Sequence, residues 1–249
     1  MDIVFVASGS KGNATLVRSG DTIIQIDMGL SLREIKEGLS HLKAKPSDIA
    51  ALFLTHNHSD HTKGVPLYHG RIPIYTGPST MEEGEPFEAL EPGVSVSVGP
   101  FTVLPFASSH DAPTPLNFIL FDEKDKFVYV TDTGIVLPEN LPLLKNATYY
   151  LFESNYDHKM LYASSRPKYL KDRIASEMGH LSNADSAIYL RDLIGPRTKQ
   201  IFLGHVSDEC NTVEKALSAH LKKYGETLGE DVFITAMKQK TLYLGGDLR

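Results

Sequence analysis

The chain has 249 residues and a formal net charge of −6, and 41% of its residues are hydrophobic and 22% charged. This is the composition of an ordinary soluble globular protein, and the length allows one large or two small domains. No apolar run approaches the roughly 20 residues that span a bilayer, and the N-terminal segment is strand-like instead of resembling a signal peptide, so we expect neither a membrane partner nor secretion. Cys210 is the only cysteine, which excludes a disulfide framework and predicts a reducing, cytoplasmic location.

The predicted elements alternate between short strands and helices along the whole chain. In chain order, the predicted strands cover residues 2–7, 14–18, 22–27, 50–55, 72–76, 94–98, 101–106, 117–122, 127–131, 148–153, 200–204, 232–235 and 241–244. The predicted helices cover residues 31–41, 79–84, 168–178, 182–194 and 211–224. Ser182 or Asn183 is a suitable N-cap for the helix at 182–194.

This order predicts an α/β protein, an αββα sandwich of two mixed β-sheets flanked by helices. No Pro-, Gly- or Ser-rich linker interrupts the chain. Residues 1–249 are therefore expected to form a single domain whose two halves meet near residue 125.

Four potential metal ligands lie within six residues, directly after the apolar run at 50–54. They are His56, His58, Asp60 and His61. His56 and His58 can point to one place, because residues two apart share a face of an extended chain, and the following loop can return the other two to a neighbouring point. Imidazole and carboxylate suit Zn²⁺ or Mn²⁺, with Fe as a further candidate, and two groups of ligands indicate two ions. The alternative is a polar turn rich in histidine, but this spacing seldom arises by chance.

This His-x-His-x-Asp-His motif resembles the signature of the metallo-β-lactamase superfamily, and the resemblance extends along the whole chain. It implies three further ligands, each after a strand-like run: His110, a bridging Asp132 and His205. It also implies two divalent transition-metal ions per chain. One ion would be held by His56, His58, His110 and Asp132, and the other by Asp60, His61, Asp132 and His205. All of these ligand residues follow β-rich runs. That position independently predicts that they lie at one common edge of the fold, where binding sites of α/β proteins are usually found.

Two segments near the N-terminus are expected beside the metals. Glycines in the loop from Ser8 to Asn13 permit close backbone approach, and we expect Ser8, Ser10 and Asn13 to cradle a phosphate there. A β-hairpin turn is the alternative for this loop. Asp27 follows the run at 22–26, and the resemblance implies that it orients a metal-bound imidazole without being a ligand itself. The alternative for Asp27 is a turn residue or a helix N-cap.

Two later motifs narrow the resemblance to nucleases. Glu153 and Asn155 follow a strand-like run, and His180 and Ser182 lie in a Gly-His-Leu-Ser-Asn motif. Together with the earlier motifs they are similar to the WalJ/YycJ/VicX-type group of bacterial nucleases, over residues 8–211. The group implies a two-metal-dependent 5′→3′ exonuclease that acts on DNA rather than RNA and favours 5′-phosphorylated ends.

The same resemblance implies roles for individual residues. Glu153, Asn155, His180 and Ser182 would contact the substrate, and Asp60 and His180 would carry protons in catalysis. A helix cap or packing role is the alternative for His180. Cys210 departs from the polar residue expected at its position, and we expect a packed thiol there instead of a metal contact.

The net charge of −6 argues superficially against a nucleic-acid substrate. Two bound divalent ions would offset most of it, so the local distribution of charge is more informative. Between residues 156 and 175, five cationic side chains outnumber two carboxylates. We expect Arg166, Lys168 and Lys171 of this strip to contact phosphates, with a solvated helix face as the alternative.

Other functions compete with a DNA exonuclease. A metallohydrolase of a small phosphodiester or thioester, or an RNA-processing nuclease, would use the same ligand set. A non-catalytic domain is disfavoured because the ligand set is complete. A redox di-iron protein is disfavoured because His56, His58 and His61 are all present, whereas the redox branch typically replaces one of them with an acid.

Overall fold

The computed structural model describes residues 1–81 and 86–249. In these residues the strands form two mixed seven-stranded β-sheets accompanied by helices. The predicted helix at 79–84 lies partly outside the described residues. Within them, no helix is long and apolar enough to cross a membrane. The chain folds into two compact units, and the single domain over 1–249 stays a prediction. The first unit comprises Met1–Ala107, Ala112–Asp125 and Lys240–Arg249, and the second comprises Ser108–Asp111 and Lys126–Gln239.

The first unit contains one complete sheet with the strand order β14-β1-β2-β3-β4-β5-β6. The strands of this unit are β1 (Asp2–Ala7), β2 (Ala14–Ser19), β3 (Thr22–Ile26), β4 (Ile49–Phe53), β5 (Ile74–Thr76), β6 (Glu88–Ala89), β7 (Val96–Val98), β8 (Phe101–Ala107), β9 (Leu116–Phe121) and β14 (Tyr243–Gly246). Strands β1 and β3 both run antiparallel to β2, and β4 runs parallel to β3. The carboxyl ends of β1, β3 and β4 therefore meet at one edge of the sheet.

Helix α1 (Leu32–His41) covers part of this sheet, and a short helix α2 (Ser59–Thr62) follows the end of β4. Ser31 and Glu34 form a capping box at the start of α1, which satisfies backbone N–H groups that have no partner within the helix. Ile35 and Leu39 are fully buried on its inner face. A Cβ atom at Gly38 would lie 2.6 Å from Val6, so glycine permits the close packing of α1 on β1.

The second unit contains the parallel strands β10 (Lys126–Val130), β11 (Tyr149–Glu153), β12 (Gln200–Gly204) and β13 (Phe233–Ala236) in this order. Its helices are α3 (Leu141–Leu144), α4 (His158–Ala163), α5 (Lys168–Ile174), α6 (Asn183–Leu193) and α7 (Val213–Tyr224). Every residue of β11 is buried, as is usual for a central parallel strand. The carboxyl ends of β10, β11 and β12 again meet at one edge.

Most predicted elements are present. Strand β6 and the short helices α2, α3 and α4 were not predicted, and α5 is shorter than predicted. Ser182 caps α6 as predicted, because its Oγ accepts the backbone N–H of Asp185 at 3.1 Å. Helix α4 was not predicted; Asp157 caps it by accepting the N–H of Met160. The helix predicted at 168–178 ends at Ile174. It ends early because the N–H of His180 turns back to the carbonyl of Ile174 at 2.9 Å.

Candidate metal centre and active site

Three predicted site residues adopt a left-handed backbone one or two residues after the end of a strand. Asp27 follows β3 with φ 61°, Asp132 follows β10 with φ 51°, and His205 follows β12 with φ 54°. This conformation is unfavourable for residues other than glycine, and where it persists the surrounding structure must hold it, often at functional sites. The sharp turn lets each side chain leave the end of its strand in a direction that a regular strand would not allow.

In the first unit, the loop after β4 gathers the ligands predicted from the histidine motif. His56 Nε2 lies 3.0 Å from His58 Nδ1, and Asp60 Oδ2 lies 3.7 Å from His61 Nε2. Both His56 and His61 are almost completely buried. A Cβ atom at Gly29 would lie 1.5 Å from the carbonyl oxygen of Asp60, so only glycine lets the loop after β3 pass so close to this motif.

Asp27 orients one of these imidazoles by accepting a hydrogen bond from the ring nitrogen that would not bind a metal. The Nδ1–H of His61 donates to Asp27 Oδ2 at 2.8 Å, and both side chains are fully buried. With Nδ1 engaged as a donor, Nε2 of His61 carries the lone pair that a metal requires.

Thr55 extends this arrangement and was not singled out from the sequence. Its hydroxyl donates to Asp27 Oδ1 at 2.9 Å and lies 3.0 Å from His56 Nδ1, whose N–H it can accept. Its backbone N–H also donates to Asp27 Oδ1, at 2.9 Å. Thr55 therefore links Asp27 to a second imidazole and leaves Nε2 of His56 as its ligand atom.

The loop after β1 contributes to the packing of this motif. Asn13 is fully buried; its Oδ1 accepts the N–H of Gly9 at 2.7 Å, and its Nδ2 lies 2.9 Å from His61 Nε2. Its backbone N–H donates to the carbonyl of Asp60 at 2.8 Å. These contacts direct the Asn13 amide into the ligand loop. The phosphate contact expected for Asn13 stays a prediction. Ser8 is also buried, whereas Ser10 is exposed.

In the second unit, one oxygen of Asp132 faces three imidazoles. Asp132 Oδ1 lies 3.4 Å from His205 Nε2, 3.7 Å from His180 Nδ1 and 3.9 Å from His110 Nε2. Asp132, His110 and His205 are at most 4% exposed. A carboxylate surrounded by imidazole nitrogens beyond hydrogen-bond distance is a suitable arrangement for ligands that share an ion.

Glu153, at the end of β11, holds two of these imidazoles. Its Oε1 accepts from His180 Nδ1 at 2.8 Å and from His205 Nδ1 at 3.1 Å, and its Oε2 accepts the backbone N–H of Thr133 at 2.9 Å. Burial alone would raise the pKa of Glu153, but the charges and hydrogen bonds of His180 and His205 outweigh it and lower the pKa. Glu153 is fully buried. Glu153 therefore holds His180 and His205 in place, and the substrate contact expected for it stays a prediction.

His110 is held by a backbone carbonyl instead of a carboxylate. Its Nδ1–H donates to the oxygen of Gly179 at 3.0 Å, so Nε2 is the atom directed toward Asp132. Burial lowers the pKa of His110, although Asp132 opposes that effect. A lowered pKa favours the neutral imidazole, which is the form that binds metals.

The donor atoms within each unit fit a divalent transition-metal ion. Zinc–nitrogen and zinc–oxygen distances near 2.0–2.2 Å place neighbouring ligand atoms about 3 to 3.5 Å apart. The separations of 3.0 Å between His56 and His58 and of 3.4 Å between His205 and Asp132 match that spacing. In each unit the second ring nitrogen of the buried imidazoles is held by a protein group. We conclude that the site is suited to a divalent metal.

The remaining residues predicted to contact substrate fall into two groups. Asn155 is 8% exposed and Ser182 is fully buried; Asn155 Nδ2 donates to the carbonyl of His205, and Ser182 caps α6. Both side chains therefore support the local structure, and their expected substrate contacts stay predictions.

The cationic strip, by contrast, lies at the surface. Arg166 pairs with Glu209 and Lys168 with Asp172, each at 2.7 Å. Lys171 donates to the carbonyl of Tyr162 at 2.8 Å.

Cys210 is a packed thiol. It is 1% exposed and lies in an apolar cluster with Tyr156, Leu161 and Ile174. No metal-ligand role is needed to explain its burial.

Known proteins resemble this chain over most of its length. Residues 22–205 match the family described as Beta-lactamase superfamily domain. The chain is 35% identical over 224 residues to the exodeoxyribonuclease WalJ of Streptococcus pneumoniae serotype 2, strain D39, a match that covers 85% of this chain and 83% of that protein. It is 31% identical over 239 residues to the exodeoxyribonuclease YycJ of Bacillus anthracis, with 90% of each chain covered.

A solved structure shares the fold. The metallo-β-lactamase fold protein YhfI of Bacillus subtilis superposes with a TM-score of 0.73 at 16% identity, over 98% of this chain and 99% of that one. The predicted αββα sandwich is confirmed by this likeness together with the two mixed sheets.

Proposed function

The chain belongs to the metallo-β-lactamase superfamily and to its WalJ/YycJ group, and on that premise we propose that it is a two-metal-dependent exonuclease that degrades DNA from 5′ to 3′ and favours 5′-phosphorylated ends. The observation that carries the proposal is a set of four buried imidazoles, whose second ring nitrogens are held by Asp27, Thr55, Gly179 and Glu153. Such support keeps ligand atoms in place for repeated turnover.

The proposed ligands are the seven residues that the sequence motifs indicate. His56, His58, Asp60 and His61 are supplied by the loop after β4, and His110, Asp132 and His205 by the second unit. Two bound divalent ions, with Zn²⁺ or Mn²⁺ preferred and Fe as a further candidate, would supply a hydroxide nucleophile at neutral pH and neutralise charge on the phosphate.

His180 is the proposed general acid. Its Nδ1–H is held by Glu153 Oε1 at 2.8 Å, so its Nε2 is the atom that would pass a proton to the departing 3′-oxygen. The buried carboxylate of Glu153 would stabilise the protonated imidazole between cycles. His180 is partly accessible, with 21% of its side chain exposed. Asp60, 25% exposed, is the second proposed proton carrier.

DNA is the proposed partner, with no membrane partner, and a cytoplasmic location is part of the proposal because Cys210 is the only cysteine. Digestion of DNA labelled at either end tests the reaction. We expect the metal-loaded protein to release mononucleotides first from the 5′ end, faster with a 5′-phosphate than with a 5′-hydroxyl, and chelation to abolish release. Release from the 3′ end would contradict the direction. Hydrolysis of small phosphodiesters or RNA without DNA would favour the alternative functions.

The cationic strip should contribute to DNA binding even though its side chains have acidic partners. In the Arg166–Glu209 pair the side chains are 28% and 66% exposed, and in the Lys168–Asp172 pair 89% and 50%. Exposed ion pairs contribute little stability, so a phosphate can replace either carboxylate.

A triple variant with alanine at Arg166, Lys168 and Lys171 is therefore expected to bind DNA more weakly. The slope of log affinity against log salt concentration should become less steep by about two to three units. Binding titrations at several salt concentrations measure this slope. Hydrolysis of a small chromogenic phosphodiester, which does not use the strip, serves as the control and should be nearly unchanged. An unchanged salt slope would identify the strip as a solvated surface.

A further inference from the structure

The second unit contains a cavity beside His180 that none of the roles above uses. Its volume is about 330 Å³, near the lower end of the range of about 300–1,000 Å³ for small-ligand pockets. We infer that this cavity binds the nucleobase next to the cleaved phosphodiester. The inference rests on the proposed nuclease function and adds to it a contact with the base.

One wall of the cavity is a face of helix α6. Asp185, Ile188 and Tyr189 all line it, and their spacing of three and four residues places them on the same side of a helix. Ile188 is 41% exposed. A large aliphatic side chain exposed beside a tyrosine offers an apolar surface on which a flat ring can pack.

Another part of the lining is backbone that cannot easily move. Gly134, after β10, and Ser176, in the turn after α5, both line the cavity. A Cβ atom at Gly134 would lie 2.2 Å from the carbonyl oxygen of Ser176, so these two segments are packed directly against each other. The cavity therefore combines a rigid backbone segment with the α6 side chains, on which a flat ring can pack.

The chemistry of the lining favours a base over a phosphate. Among the described residues that line the cavity are the carboxylates of Glu177 and Asp185, and no lysine or arginine. Carboxylates repel phosphate but accept hydrogen bonds from the amino and imino groups of bases. Tyrosine and isoleucine provide the apolar contact. His180 also lines the cavity, so a base held there would lie next to the proposed proton donor.

Single-stranded, 5′-phosphorylated oligonucleotides that differ only by an abasic residue at the first or second position test the inference. Base stacking of roughly 1–3 kcal/mol corresponds to a loss of at least about fivefold in kcat/KM when the bound base is missing. We expect this loss at one of the two positions.

Ile188→Trp, which fills the cavity, should lower kcat/KM on the normal strand and remove the difference between normal and abasic strands.

Leu221→Trp is the matched control, because Leu221 is 47% exposed on α7 and does not line the cavity; it should retain the wild-type preference. Tyr189→Ala provides a second variant if Ile188→Trp does not fold, and it should also reduce the preference. Equal cleavage of normal and abasic strands by the wild-type protein would overturn the base pocket while leaving the nuclease function intact, as would an unchanged preference in both cavity variants. Failure to cleave any DNA strand would overturn the proposed function itself.

Discussion

Asp60→Asn is expected to abolish DNA hydrolysis while leaving the fold intact. The substitution is nearly isosteric, but it removes the negative charge of a proposed metal ligand and a possible proton acceptor. Residues that hydrogen-bond to metal ligands typically contribute about 10- to 100-fold to metal affinity or activity. Loss of the charge of a ligand itself should therefore reduce kcat/KM by at least about 100-fold. Digestion of end-labelled DNA by metal-loaded protein measures the effect.

Stability should change little, because the side chain of Asp60 is 25% exposed and its backbone carbonyl, which accepts from Asn13, is retained. We expect the free energy of unfolding of the metal-free protein to stay within about 1 kcal/mol of wild type. Asp21→Asn, an exposed turn residue of the same unit, is the matched control and should retain full activity. If Asp60→Asn cleaves DNA within a few-fold of wild type, the role assigned to Asp60 is wrong.

Asp132→Asn is expected to lower both the metal content and the activity. Asp132 is proposed to bridge two ions, and its Oδ1 lies between His205 Nε2 and His110 Nε2. An amide oxygen lacks the charge that lets one group serve two cations. Elemental analysis of protein purified without chelator should find two ions per wild-type chain and fewer in the variant, with a loss in kcat/KM of at least about 100-fold.

Asp231→Asn, at an exposed position of the second unit, controls for the loss of one carboxylate and should keep both ions. A variant at position 132 that still binds two ions would contradict a bridging role. A wild-type protein that binds a single ion would contradict the two-metal proposal while remaining compatible with a metal-dependent hydrolase.

The sequence alone predicted most of the strands and indicated the histidine motif, because both depend on local patterns. Buried strands such as β4 and β12 appear as short apolar runs, and the histidine motif lies within six consecutive residues. The family could be recognised for the same reason, since its motifs keep their spacing along the chain. The strand ends also predicted that Asp132 and His205 would lie on one edge, and in the second unit their side chains are 3.4 Å apart.

Helix ends and surface pairings were harder to predict, because they depend on contacts that a local pattern does not contain. Helix α5 ends at Ile174 where the chain turns back through His180. The cations Arg166 and Lys168 have acidic partners, and one of these partners, Glu209, is 43 residues away in the sequence. A count of charges along a segment cannot reveal such pairs.

Only the tertiary structure decided what each buried polar side chain does. Asp27 contacts Thr55 and His61, which are 28 and 34 residues away in the sequence. Glu153 contacts His180 and His205, which are 27 and 52 residues away. A buried carboxylate must find hydrogen-bond partners, and those partners depend on which strand ends lie side by side. For this reason the sequence did not reveal that Glu153 contacts two imidazoles, or that Thr55 connects Asp27 to His56.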